Sequence, residues 1–128
     1  MSDPCILIAE DNRVMADVAR FNLERAGFHV VVAENGELAL QAAQQQHFDL
    51  VISDYQMPKM CGEDLLKSLR ELPEYSETPF FLCTAKGYEL NLQKIRESIR
   101  VIEFVNKPFS PMAIVKLVKK HLQHQPVT

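Results

Sequence analysis

Short apolar runs recur along the chain, each followed by a polar turn and then by residues at helical spacing. The first run is Cys5-Ile6-Leu7-Ile8-Ala9, closed by Glu10-Asp11-Asn12. Unbroken apolar character, rather than alternation, predicts a strand covered on both faces. Arg13 to Ala26 carries Val14, Val18 and Phe21 at i, i+4 and i+7, with Gly27 where a helix-terminating glycine belongs. Val30-Val31-Val32-Ala33 is the second strand, closed by Glu34-Asn35-Gly36. Glu37 to Gln46 then forms a helix with Leu38, Ala39, Ala42 and Ala43 as its apolar residues.

Leu50-Val51-Ile52-Ser53 predicts the third strand, ending at Asp54. Gly62 to Glu71 is the third helix, with Leu65, Leu69 and Leu72 in helical spacing, and Pro73 to Pro79 reads as a polar loop. Phe80-Phe81-Leu82-Cys83 is the fourth strand, ending at Thr84. Leu92, Ile95 and Ile99 suggest a helix from about Glu89 to Ser98. Val101 to Val105 is the fifth strand, ending at Asn106-Lys107-Pro108. Ser110-Pro111 supplies an N-cap followed by proline at the first helical position, and that helix runs to about Gln123. Strands alternating with helices imply an α/β fold: a parallel sheet with right-handed crossovers and helices on both faces.

Length and composition narrow the picture. The 128 residues suit one domain, filled from Cys5 to about Gln123, with His124 to Thr128 as a tail or the start of a linker. Hydrophobic residues at 47% and charged residues at 24% are ordinary for a globular protein and argue against disorder. No run approaches the ~18 apolar residues of a membrane span. The acidic start Met1-Ser2-Asp3-Pro4 is unlike an export signal. A net charge of -3 disfavours nucleic-acid binding as the main activity. Cys5, Cys61 and Cys83 are odd in number and lack a CxxC pair, which fits a reducing cytoplasm. Cys5 and Cys83 fall within strands and read as small core residues. His29, His47, His121 and His124 show no metal-ligand spacing.

Ligands of open α/β sheets bind at the carboxyl ends of the strands. There the chain places Glu10 and Asp11, Asp54, Thr84 and Lys107. Crowded carboxylates repel unless a cation joins them. Oxygen donors without His or Cys suit a hard divalent ion such as magnesium, which completes its shell with waters and a substrate phosphate. A lysine and a hydroxyl beside it meet the other oxygens of a phosphoryl group. The set reads as magnesium-assisted phosphoryl transfer, in which an aspartate can itself be the acceptor.

These residues resemble those of response-regulator receiver domains over essentially the whole chain. The matching pieces are Glu10-Asp11, Asp54-Tyr55-Gln56-Met57-Pro58 with Gly62, Thr84-Ala85 and Lys107-Pro108-Phe109. The resemblance implies a flavodoxin-like, doubly wound five-stranded sheet in the order 2-1-3-4-5. It makes Asp54 the acceptor of a phosphoryl group from a phosphohistidine on a histidine kinase or histidine phosphotransfer protein. Asp11, Asp54 and the backbone carbonyl of Gln56 would ligate Mg2+, with Glu10 acting on its water shell. Lys107 would pair with the phosphoryl oxygens across a cis Lys107–Pro108 bond. Thr84 would donate its hydroxyl, and Phe104 would be the switch aromatic. Gln56 and Lys86 would tune phosphoryl lifetime. Phosphorylation would then reshape the face made by the fourth helix, fifth strand and fifth helix. That face would serve a target protein, an output domain absent from this chain, or a transient homodimer.

Two other readings compete. An aspartyl-phosphate phosphatase of the haloacid-dehalogenase type would want an aspartate at position 56, where Gln56 stands. A flavodoxin-like nucleotide binder would want a glycine- or hydroxyl-rich loop where Glu10-Asp11-Asn12 stands. One departure from the family habit is the stretch Glu97 to Val101, which lacks the glycine turn common before the fifth strand.

Overall fold

The computed structural model describes residues 3–85 and 92–122. Among these, β1 (Cys5–Ala9), β2 (His29–Ala33), β3 (Leu50–Asp54), β4 (Phe80–Ala85) and β5 (Glu103–Lys107) alternate with α1 (Arg13–Arg25), α2 (Gly36–Gln45), α3 (Gly62–Arg70), α4 (Leu92–Ile99) and α5 (Pro111–Leu122). The strands form one parallel sheet in the order β2-β1-β3-β4-β5, as the resemblance implies. Three positions of interest lie outside the described residues: Lys86, the expected helix start at Glu89, and the segment from Gln123 onward.

Two cores sandwich the sheet. Leu7, Val51, Phe80 and Leu82 face α2, α3 and α4 through Ala39, Leu65, Leu66, Leu69, Ile95 and Ile99. Ile6, Ile8, Leu50, Ile52 and Phe81 face α1 and α5 through Ala19, Leu23, Ile114, Val115 and Val118. Burial of both sheet faces is why the strands read as continuous apolar runs. Helix starts follow local chemistry. Asn12 and Asn35 accept from the backbone N–H groups of Met15 and Leu38, and Ser110 Oγ accepts from Ala113. Gly27 closes α1 at φ +103, a left-handed conformation that glycine adopts without strain.

Periodicity alone left several features open, and one strand start moves. The α1 residues Val14, Val18 and Phe21 are 71%, 42% and 58% exposed, while Ala16, Ala19 and Leu23 form the buried face. The helix carries two apolar stripes, and the alanine side wins because it lets α1 lie close against the sheet and α5. The fifth strand begins at Glu103, two residues later than expected, and extends through Lys107. Arg100 takes φ +63 after α4, so a non-glycine residue makes the turn there and delays the strand. The expected loop at Pro73 to Pro79 contains a 3₁₀ turn, Pro73–Tyr75, whose Tyr75 is fully buried. Its hydroxyl donates toward the Ala43 and Gln46 carbonyls and accepts from the Phe48 N–H. The sequence offered no period by which to place one buried aromatic in a polar segment. β4 also runs on through Thr84 to Ala85.

Arg70 is a further staple. Its guanidinium donates to the carbonyls of Ile99, Tyr75, Thr78 and Arg100 at 2.6–3.1 Å. It also lies over the Phe80 ring, 3.8 Å from the centroid. The segment between β3 and α3 is fixed by a close approach. A Cβ on Gly62 would collide with the Asp54 carbonyl and lie 2.9 Å from Leu82 Cδ1. Gly62→Ala is therefore expected to cost about 1–3 kcal/mol, the usual range for overpacking. A urea midpoint unchanged from wild type would contradict this.

Candidate functional site

The parallel sheet brings the carboxyl ends of β1, β3, β4 and β5 to one edge. Glu10 and Asp11 follow β1, Asp54 ends β3, Thr84 lies near the end of β4, and Lys107 ends β5. The carboxylate oxygens of Glu10, Asp11 and Asp54 gather within 4.8 Å of one another. Glu10 and Asp54 are each 7% exposed, whereas Asp11 lies at the surface. Lys107 bridges the two buried carboxylates, with Nζ 3.1 Å from Glu10 Oε1 and 3.2 Å from Asp54 Oδ1. Glu10 Oε2 accepts from the Asn12 N–H at 3.1 Å. The Lys107–Pro108 peptide is cis.

Burial raises the pKa of Asp54; Lys107 pulls it down and Asp11 pushes it up. Burial likewise raises that of Glu10, against the Asn12 hydrogen bond and with help from Asp54. Lys107 goes up, because attraction to Asp54 and Glu10 outweighs its own desolvation. One ammonium thus serves two buried carboxylates and does not fully compensate them. The deficit is what a cation would supply.

The donor set fits a hard divalent ion. All three side chains offer oxygen. Cys83 lies beneath them, but burial, with Asp54 and Glu10 nearby, pushes its thiol up to about 12, so it stays protonated. Gln56 is exposed in the segment following β3.

Thr84 is buried, and its hydroxyl donates to Asn106 Oδ1 at 3.4 Å across the β4–β5 pair. Phe104, next to Leu82 on that pair, is half-buried against the α2–α3–α4 core. Sequence reasoning did not single out Asn106, because an asparagine in a strand end carries no period of its own. It also missed the Glu10–Lys107 contact, which joins residues at opposite ends of the chain. Opposite charge at two strand ends was the available signal. Of the cysteines, Cys83 is buried, while Cys5 and Cys61 are half-buried. His121 lies 2.8 Å from Glu103 and so ties α5 to β5. Among the described residues no helix is long and apolar enough to cross a membrane.

Comparisons with known proteins agree with this edge. A family model for the response regulator receiver domain matches residues 6–119. The alkaline phosphatase synthesis transcriptional regulatory protein PhoP of Bacillus subtilis is 30% identical over 122 residues, covering 95% of this chain and 50% of PhoP. The transcriptional regulatory protein CpxR of Escherichia coli is 33% identical over 118 residues, covering 92% of this chain and 49% of CpxR. The chain therefore spans about half the length of these curated relatives. The solved structure of the Vibrio cholerae chemotaxis protein CheY4 superposes with a TM-score of 0.87 at 26% identity, covering 94% of this chain and all of CheY4. These likenesses do not favour a phosphatase of external substrates. The chain belongs to the response-regulator receiver family and is a receiver domain of two-component signalling.

Proposed function

We propose that Asp54 is the phosphoacceptor of this receiver. The observation that carries the reading is the Glu10–Asp11–Asp54 cluster with Lys107 at 3.1–3.2 Å from its two buried members. An Asp54 carboxylate oxygen attacks phosphorus on a partner's phosphohistidine. The new P–O bond forms as the P–N bond breaks, and the leaving imidazole takes up a proton. Lys107 turns its ammonium from the carboxylates to the transferred oxygens, and Thr84 brings its hydroxyl to another. Glu10, Asp11, Asp54 and the Gln56 backbone carbonyl would hold Mg2+. Bound there, the ion neutralises charge on the phosphoryl oxygens. Gln56, exposed just beyond the acceptor, is suited to governing access of hydrolytic water and hence phosphoryl lifetime.

A histidine kinase or histidine phosphotransfer protein is the donor in this reading. The exposed stripe Val14, Val18 and Phe21 supports it. It begins in the first turn of α1, the helix that follows Glu10 and Asp11, and offers an apolar surface. Phosphorylation then moves Thr84 and Phe104 and reshapes the α4–β5–α5 face for a target protein or an output domain. The free cysteines support a cytoplasmic setting.

Incubation with Mg2+ and a small phosphodonor such as acetyl phosphate tests the acceptor role. Intact mass is expected to show one added phosphoryl group. It should be lost to hydroxylamine, as an acyl phosphate is, and should not form under chelation. A hydroxylamine-resistant adduct, or none, would reject the reading.

A further inference from the structure

The proposed switch needs the Phe104 ring to leave its half-buried place against the α2–α3–α4 core. A cation from a neighbouring helix meets the ring there. Arg96 of α4 places its guanidinium over the Phe104 ring, with Cζ 4.9 Å from the centroid. Arg96 itself is exposed, and Phe104 is half-buried, so the cation covers the solvent side of the ring. The rest of α4 is anchored: Ile95 and Ile99 are buried in the core against which Phe104 packs. The Arg96 carbonyl accepts from the Arg100 N–H at 2.7 Å, and the Ile99 carbonyl accepts from Arg70. The helix is thus a fixed mount from which Arg96 reaches the ring. Thr84, meanwhile, gives its hydroxyl to Asn106 across the β4–β5 pair, so neither residue is engaged at the acceptor edge by way of these contacts.

We propose that Arg96 is a positioning residue for the switch, its guanidinium holding the Phe104 ring in its half-buried place in the unphosphorylated receiver. The proposal rests on the reading of Asp54, Thr84 and Phe104 given above and adds a determinant of how readily they respond. A cation gains from an aromatic ring only while it faces the ring. When the ring turns toward the space that Thr84 vacates, that contact is lost. An interaction present in one state and absent from the other shifts the equilibrium by its full worth. At an exposed site a cation–π contact is worth a factor of about two to five in population. The affinity for anything that requires the turned state scales with the fraction of molecules able to adopt it.

The test uses beryllofluoride with Mg2+ as the phosphoryl mimic, titrated into the whole protein and followed by amide NMR. Arg96→Ala is expected to bind it about two- to fivefold more tightly than wild type. Arg96→Lys keeps a cation and should recover most of the wild-type affinity. A general loosening of the fold would weaken binding in both variants, and urea midpoints separate that effect. Unchanged or weaker binding by a folded Arg96→Ala variant overturns the proposal, as does an equal gain in Arg96→Lys. If the wild type does not bind beryllofluoride at Asp54, the phosphoacceptor reading falls first and takes this proposal with it.

Discussion

Asp54→Asn is expected to abolish phosphoryl incorporation and, in the metal-free protein, to raise the thermal midpoint. The first effect follows from the nucleophile. An amide oxygen beside Lys107 can accept the hydrogen bond that Asp54 accepts at 3.2 Å, but it cannot form an acyl phosphate. The loss should be complete rather than partial, read as no added mass under conditions that label the wild type. The second effect follows from burial, which holds the Asp54 carboxyl above the usual carboxylate range despite Lys107. A carboxyl with a higher pKa folded than unfolded binds its proton more tightly in the folded state. Its ionised form therefore opposes folding, and the opposition fades as pH falls from that raised pKa through the ordinary carboxylate value. The stability gained by Asp54→Asn should be full above that raised pKa and shrink on acidification across that window. Scanning calorimetry of both proteins from neutral to acid pH, in chelator, checks this. A gain that grows on acidification would contradict it. Mg2+ should stabilise the wild type more than the variant, because the ion supplies the charge that Lys107 alone does not.

Arg70→Ala is expected to destabilise the fold by about 2–4 kcal/mol, a large effect for one side chain away from the acceptor. The guanidinium donates to four carbonyls drawn from the 3₁₀ turn, the segment before β4 and the end of α4. It also stacks on Phe80, which is fully buried. Burial, and then the neighbouring Arg100, pull the Arg70 pKa down to about 10, with Glu77 acting in the opposite sense. The charge is thus held largely by oriented carbonyl dipoles, two of them at the α4 C-terminus, where a cation is favoured. Removing the guanidinium strands these acceptors and frees Arg100 from one contact that fixes its left-handed backbone. Lysine cannot spread donors over four carbonyls, so Arg70→Lys should recover only a minor part. Urea denaturation of both variants measures this. An Arg70→Ala protein within about 0.5 kcal/mol of wild type would show that the carbonyls are equally well served by water.

The acceptor edge was legible in the sequence because parallel topology forces it. Once each apolar run is a strand pointing the same way, Glu10, Asp54, Thr84 and Lys107 must meet, however far apart they lie in the chain. Strand order was not legible from periodicity and came from resemblance, since covered strands look alike. Nor was the choice between the two α1 stripes. Val14, Val18 and Phe21 satisfy a helical period as well as Ala16, Ala19 and Leu23 do, and only the closeness of packing separates them. Arg70 was invisible for a different reason. A guanidinium that serves backbone carbonyls has no sequence partner, because every residue carries a carbonyl. The late start of β5 has the same origin, for nothing in the letters marks Arg100 as the residue that turns.

The Arg70 staple has a wider consequence. It gathers carbonyls just before β4 and β5, at the entry end of the strands, whereas Asp54 and Lys107 lie at the exit end. A strand of this length separates the two by roughly 15 Å. At that distance, free-energy changes at independent sites add. The receiver thus keeps its largest backbone staple away from its acceptor carboxylates, and a stability change at the one should add to a change at the other. A lineage can therefore gain or lose stability at the Arg70 pole while the acceptor carboxylates stay as they are.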